Sequence, residues 1–203
     1  MALWMPRAAM AAVVFAVWMP AIGWARDMLG LREAQPAEVV RWFVEACVVH
    51  EGEPVAVMDW ALTQGFDPLD PSIPEVGVLL GGRAGAVLRS PDATVMLATT
   101  MDGACTVWAE RSIGPAVYLA WQQAVTRLSG SGARVQVQFE RYVERAGVWR
   151  RQWQARYRRV GGTQELGLGL VATLTDGPAA QVFQLWRRPA VESATDPDGW
   201  PRH

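Results

Sequence analysis

The sequence predicts an α+β protein: a curved antiparallel sheet ending in a four-strand C-terminal meander, covered on one face by an N-terminal helical hairpin and a third helix. Three observations carry that prediction. Residues 134–187 alternate apolar and polar side chains in four runs, the period of strands with one face buried. Residues 36–62 and 115–128 space their apolar side chains as a helix does, three and four residues apart. Short Gly-, Pro- and Asp-rich turns separate the strand runs, which suits antiparallel neighbours.

Residues 1–25 read as a secretory signal peptide. Arg7 is the lone charge, 8–19 is an apolar run, and Gly23 and Ala25 are small residues at the −3 and −1 positions. The alternative is a retained anchor, since the uncharged run 8–25 reaches the lower limit for a membrane span. Pro20 and Gly23 interrupt its end, however, and no cysteine stands near the junction to carry a lipid. The expected organisation is therefore a signal peptide over 1–25, one α+β domain over 26–188 and a disordered tail over 189–203. In that tail Pro, Asp, Ser and Gly occur without periodicity.

Pro36 opens the first helix, where its missing N–H costs nothing. Val39, Val40, Phe43, Val44, Cys47 and Val48 form its apolar stripe. Pro54 opens a second helix, presenting Val57, Met58, Ala61 and Leu62, and Gly65 ends it. Pro68, Pro71 and Pro74 then stand three apart in a stiff connector. Short strands are expected at 78–80, 86–89, 94–99 and 104–109. Gly114-Pro115 starts the third helix, striped by Val117, Trp121, Ala124, Val125 and Leu128.

In the meander, Val135, Val137, Phe139 and Val143 share one face of the first strand. Trp149, Trp153, Ala155 and Tyr157 share one face of the second, and Leu166, Leu168, Leu170, Ala172 and Leu174 one face of the third. A last strand fills 180–187. This helix-first order over residues 36–187 resembles the cone-shaped fold of the nuclear-transport-factor-2-like superfamily, although the strands before Glu110 depart from that pattern. The Phe43-x-x-x-Cys47 helix, the Gly65-Phe66 turn and the Cys105-x-Val107 strand resemble a family of uncharacterised exported proteobacterial proteins. That resemblance implies an exported compartment and no activity.

The net charge of −1 gives no reason to expect nucleic acid. Charge is segregated, however: residues 26–75 hold ten Asp or Glu against three Arg, and 134–159 hold eight Arg against two Glu. The chain has neither Lys nor Asn, as a GC-rich bacterial coding sequence would produce. Without Lys there is no P-loop ammonium, Schiff base or pyridoxal phosphate attachment, and no cofactor is expected.

Cys47 and Cys105 are the only cysteines. In an oxidising compartment they invite a disulfide, which by loop closure would stabilise by about 4 kcal/mol. The alternative is two separate reduced core thiols.

Catalytic and metal chemistry finds little. His50 has only Glu51 and Glu53 beside it, short of the three convergent ligands a metal wants, so no metal is expected. Gly167-x-Gly169-x-x-Ala172 matches the letters of a dinucleotide fingerprint inside a strand, where the strand-to-helix turn that motif needs is missing. Its glycines make room for an aromatic ring or a backbone crossing that face. Paired carboxylates, Asp59 with Glu140 or Glu144, remain a further option for acid–base work.

The strongest lead is the second meander strand, where Trp149, Arg151, Trp153, Tyr157 and Arg159 share one face. Aromatic walls and Arg forks there would hold an anionic amphipathic ligand or an envelope protein. The plainer alternative packs Trp153 and Tyr157 under the helices while the Arg side chains reach outward. The expected function is an exported, periplasmic, non-enzymatic binding or envelope-accessory protein with no mature transmembrane segment. Alternatives are a small cone-fold enzyme using a pocket carboxylate such as Asp59, and an immunity or inhibitor protein with an acidic helical face including Glu45 and Glu51.

Overall fold

The computed structural model describes residues 30–188; the signal peptide and tail expected at the two ends lie outside the described residues. The fold is α+β, as the periodicities predict. Helices α1 (Pro36–Phe43), α2 (Pro54–Thr63), α3 (Pro74–Leu80) and α4 (Gly114–Gly130) accompany eight strands. These are β1 (Asp67–Pro68), β2 (Gly85–Arg89), β3 (Met96–Thr100), β4 (Cys105–Ile113), β5 (Ala133–Arg145), β6 (Val148–Arg159), β7 (Leu166–Thr173) and β8 (Pro178–Arg187). They form one sheet in the order β1-β2-β3-β4-β8-β7-β6-β5, antiparallel at each junction.

The meander returns toward the start of the chain, so that β8 pairs with β4. α4 makes this possible. Its 17 residues, at about 1.5 Å each, span about 25 Å. Four strand spacings of about 4.8 Å separate β4 from β5, and the helix carries the chain across all of them.

α1 runs directly into a π-helical turn, Val44–Val48. The Val49 N–H donates to the Val44 carbonyl at 2.9 Å, one residue beyond the α-helical partner. This wide turn buries Ala46, Cys47 and Val48 in succession. It delivers Cys47 to Cys105 at the start of β4, and a disulfide joins them across 58 residues of sequence.

The main core lies between these helices and one sheet face. Phe43, Trp121, Trp153 and Phe183 meet there with ring centroids 5.1–5.7 Å apart. Burial of each ring contributes about 2–3 kcal/mol, and each tilted or edge-on pair adds about 1 kcal/mol. The N-terminus of α4 rests on β7 itself: a Cβ on Gly114 would stand 2.0 Å from the Thr173 carbonyl oxygen.

Two expectations are corrected. Residues 78–80 do not form a strand; they end α3, which starts at Pro74 and stops at Gly81 with φ +64°. Val76 and Leu80, four apart, are buried on the opposite side of the sheet against Val87, Met96, Ala98 and Trp108. The sheet thus has a second, smaller core over β2–β4. In addition, a β-bulge breaks the simple alternation of β5. Val137 pairs with Ala155, but Phe139 pairs with Gln154. Val135 and Val137 therefore face the helices, whereas Phe139 and Val143 face away with Gln154 and Arg150.

Candidate functional site

The bulge has a chemical consequence. Beyond it, Glu140, Tyr142 and Glu144 stand opposite Trp153, Arg151 and Trp149, on the helix-covered side of the sheet. Glu140 then meets the first turns of α4. The Tyr118 hydroxyl donates to Glu140 Oε2 at 2.7 Å, and Arg151 Nε lies 3.2 Å from Glu140 Oε1. That second approach is an ion pair without good hydrogen-bond alignment. Arg151 Nη2 donates to the Tyr142 hydroxyl at 3.1 Å, and its guanidinium carbon sits 3.6 Å from the Tyr118 ring centroid.

Arg151 is thus held by one carboxylate and two phenols, with only 19% of its side chain exposed. A cation over an aromatic face is worth about 1 kcal/mol when partly exposed. Burial, reinforced by the hydrogen bond and charge of Glu140, raises the Tyr118 phenol above its ordinary pKa, with Arg151 acting in the opposite direction. The phenol stays protonated and keeps donating. Around this clamp Tyr142 and Trp149 are 53% and 50% exposed, on diagonal positions of the β5–β6 pair. Leu174, itself partly exposed, adjoins them through its N–H to the Trp149 carbonyl at 3.0 Å.

The five residues singled out from the sequence do share one face, and α4 divides them. Trp153 packs edge-on against Trp121 at 5.3 Å, and both Trp153 and Tyr157 are buried. Burial raises the Tyr157 pKa; Arg159 lowers it and Glu51 adds to the rise. Arg159 lies at the other end of β6, paired with Glu51 at 3.4 Å and donating to the Val49 carbonyl. Trp149 and Arg151 remain at the rim. Tyr118 and Tyr142 were not anticipated, because the bulge at Gln138 leaves no mark in the pattern of residue types.

Three of the other candidate carboxylates form ion pairs. Glu51 and Glu53 anchor the linker after α1 to Arg159 and Arg187, and Glu45 pairs with Arg41. Asp59 is exposed on α2. Among the described residues no group of His, Cys, Asp and Glu is placed to hold a metal. A groove of about 470 Å³ runs between α1 and α4, floored by Val40, Val44, Ala124 and Leu128 and edged by Arg41 and Arg127. On the far side of the sheet, the Trp186 ring lies across Gly167, where a Cβ would come within 2.1 Å of it. Gly167, the first of the two alternating glycines, makes room for an aromatic ring.

No protein-family model and no curated protein matches the chain. The solution structure of cyanobacterial PsbP (CyanoP) from Synechocystis sp. PCC 6803 is similar over 60% of this chain and 69% of that one, at 14% identity and a TM-score of 0.31.

Proposed function

We propose that this chain is an exported, non-enzymatic accessory protein that binds another envelope protein through the rim patch of Trp149, Tyr142 and Arg151. One observation carries the reading: two large aromatic side chains stand half exposed on adjacent strands around an Arg already fixed from three sides. Trp, Tyr and Arg dominate the energetics of protein contacts. Prior immobilisation removes part of the ordering cost of binding. The charge of Arg151 is met by Glu140, which favours an aromatic, near-neutral contact over capture of a free anion.

Export is supported by the Cys47–Cys105 disulfide, since such bonds persist in oxidising compartments, and by the leader-like residues 1–25. Among the described residues no helix is long and apolar enough to cross a membrane.

The test places a photo-crosslinking residue at position 149 in the native host and identifies the captured envelope protein. Binding of that purified partner is then measured for Trp149→Ala and Tyr142→Ala, with Leu119→Ala as a control, because Leu119 is equally exposed on α4. Loss of a central aromatic costs about 2 kcal/mol, roughly a thirty-fold weakening. Equal affinity for all three variants would refute the assignment.

A further inference from the structure

The two edges of the sheet differ. β1 closes one edge with two residues, and one of them, Pro68, has no N–H to offer. β5 forms the other edge over 13 residues that include neither Pro nor Gly. An edge of that length invites pairing unless it is blunted. The bulge blunts β5 only near Gln138, and from Glu140 to Arg145 the strand runs regularly against Trp153 to Val148.

Which backbone groups face outward follows from the hairpin. Arg145 pairs with Val148 across the two-residue turn Ala146-Gly147, whose φ values are +51° and +73°, so these two exchange hydrogen bonds. Such bonds alternate along the strand, which leaves Glu144 and Trp149 a pair without them. In agreement, the Trp149 carbonyl turns the other way and accepts from the Leu174 N–H at the end of β7. The N–H and C=O groups of Tyr142 and Glu144 therefore point away from β6. Among the described residues no hydrogen bond reaches them. Glu144 and Arg145 are exposed, and neither has an ion-pair partner among the described residues.

We infer that β5 accepts an extended segment of the partner protein, which joins the sheet as a further strand. A polypeptide backbone is the ligand whose N–H and C=O groups repeat at the spacing of that edge. Tyr142 lies within the open segment and Trp149 stands opposite Glu144, so the added strand and the rim patch form one surface. The choice of partner rests on the reading proposed for that patch. The side chains of β5 specify the strand. Running antiparallel, it meets Glu144 with a basic residue, Arg141 and Arg145 with acidic ones, and Tyr142 and Val143 with apolar ones. A second copy of this chain fits poorly. A two-fold axis that keeps both α4 helices on one side of the joined sheet pairs residues of like parity. Each such register within 140–145 sets like charges opposite: Glu140 on itself, Arg141 on itself, Glu140 on Glu144, or Arg141 on Arg145.

The probe is the capped peptide Thr-Glu-Lys-Val-Val-Glu-Thr, titrated against the full chain while the amides of Tyr142 and Glu144 are followed by NMR. In the antiparallel register its Lys stands opposite Glu144 and its second Val opposite Tyr142, with their N–H groups turned to β5. N-methylation of those two residues should weaken binding about ten-fold or more. N-methylation of the first Glu and the first Val, whose N–H groups turn outward, should leave it within about two-fold. Glu144→Pro, which removes one outward donor from the edge, should weaken the peptide more than Glu144→Gln, which keeps that donor. Circular dichroism checks the fold of the proline variant, and the methylated peptides test the unaltered chain whether or not it folds. The inference is overturned by equal binding of the two methylated peptides, by no binding of the parent peptide at about 1 mM, or by dimerisation through β5. Those results leave the rim patch standing wherever Trp149→Ala still weakens the captured partner. Unchanged partner binding in Trp149→Ala, with the alternation in the peptides intact, removes the patch and leaves the strand.

Discussion

Glu140 reaches Arg151 only because the β5–β6 register slips by one residue between Val137 and Phe139. Without that bulge Glu140 would point to the face turned away from α4, and Arg151 would lie under α4 with no carboxylate. A partly buried charge left unpaired costs more than the pair contributes. Glu140→Gln should therefore destabilise the protein by about 1–2 kcal/mol, and Arg151→Met by less, because Met removes the charge itself and fills much of the same volume. Urea unfolding of both variants and the double variant measures this. Strict additivity would mean that the two side chains are not coupled.

The two raised phenols predict the alkaline behaviour. Tyr118 and Tyr157 both hold their protons more tightly in the folded chain than the ordinary tyrosine value of about 10. A raised folded-state pKa stabilises fully below the unfolded value, and that stability is lost as pH rises through the folded value. Stability should fall above about pH 10, with tyrosine ionisation lagging behind that of free tyrosine. Tyr157→Phe should reduce the loss. An ultraviolet titration run alongside thermal melts would show it, and normal ionisation of every tyrosine at pH 10 would contradict it.

Much of this fold was legible in the sequence, because burial on one side imposes a period that residue types must obey. Val39, Val40 and Phe43, and later Val117, Trp121 and Ala124, all lie in the core facing the sheet. Four runs between 134 and 187 became β5–β8. Residues 78–80 misled because a three-residue apolar run has no period of its own; the flanking Pro74 and Gly81 decided for a helix. The site was harder to read. Alternation put Trp149, Arg151, Trp153, Tyr157 and Arg159 on one face, but which face α4 would cover is set by tertiary packing. The parity of β5 beyond Val137 depends on a single bulged residue, and Gln138 resembles its neighbours.

The Cys47–Cys105 bond should be present in protein purified without reductant, giving no reactive thiol after denaturation. It closes a loop of 58 residues, for which chain entropy gives about 4 kcal/mol. Reduction, or Cys47→Ala with Cys105→Ala, should lower the denaturant midpoint accordingly. An unchanged midpoint would mean that the helices hold β4 without the bond.

Two turns each hold a carboxylate below its ordinary pKa. Asp102 is held below the usual carboxylate range by the Thr100 hydroxyl, and Arg83 adds to this. Burial raises Asp92, but hydrogen bonds from Ser90 and Thr94 outweigh it and leave it lowered. Depressed carboxylates stabilise above their unfolded pKa, and that contribution is lost as pH falls through the folded value. Stability should decline below about pH 4, and Asp92→Asn should flatten the decline. The same slope in the variant would assign acid sensitivity elsewhere.

Gly167 offers the sharpest test of the sheet face turned away from α4. A Cβ there would stand 2.1 Å from Cε2 of Trp186, so the indole must lift from the sheet or the strands must part. Overpacking of this kind costs about 1–3 kcal/mol. Gly177, in the turn before β8, has no atom within 4 Å of an added Cβ, so Gly177→Ala should change stability by no more than about 0.5 kcal/mol. In Gly167→Ala the cost should largely vanish when Trp186→Ala is added, because the ring that the methyl group displaces is then gone. Melting curves for the three variants, together with the tryptophan emission of Gly167→Ala, follow both effects. If Trp186→Ala fails to rescue Gly167→Ala, the strain lies in the β7 backbone rather than under the indole.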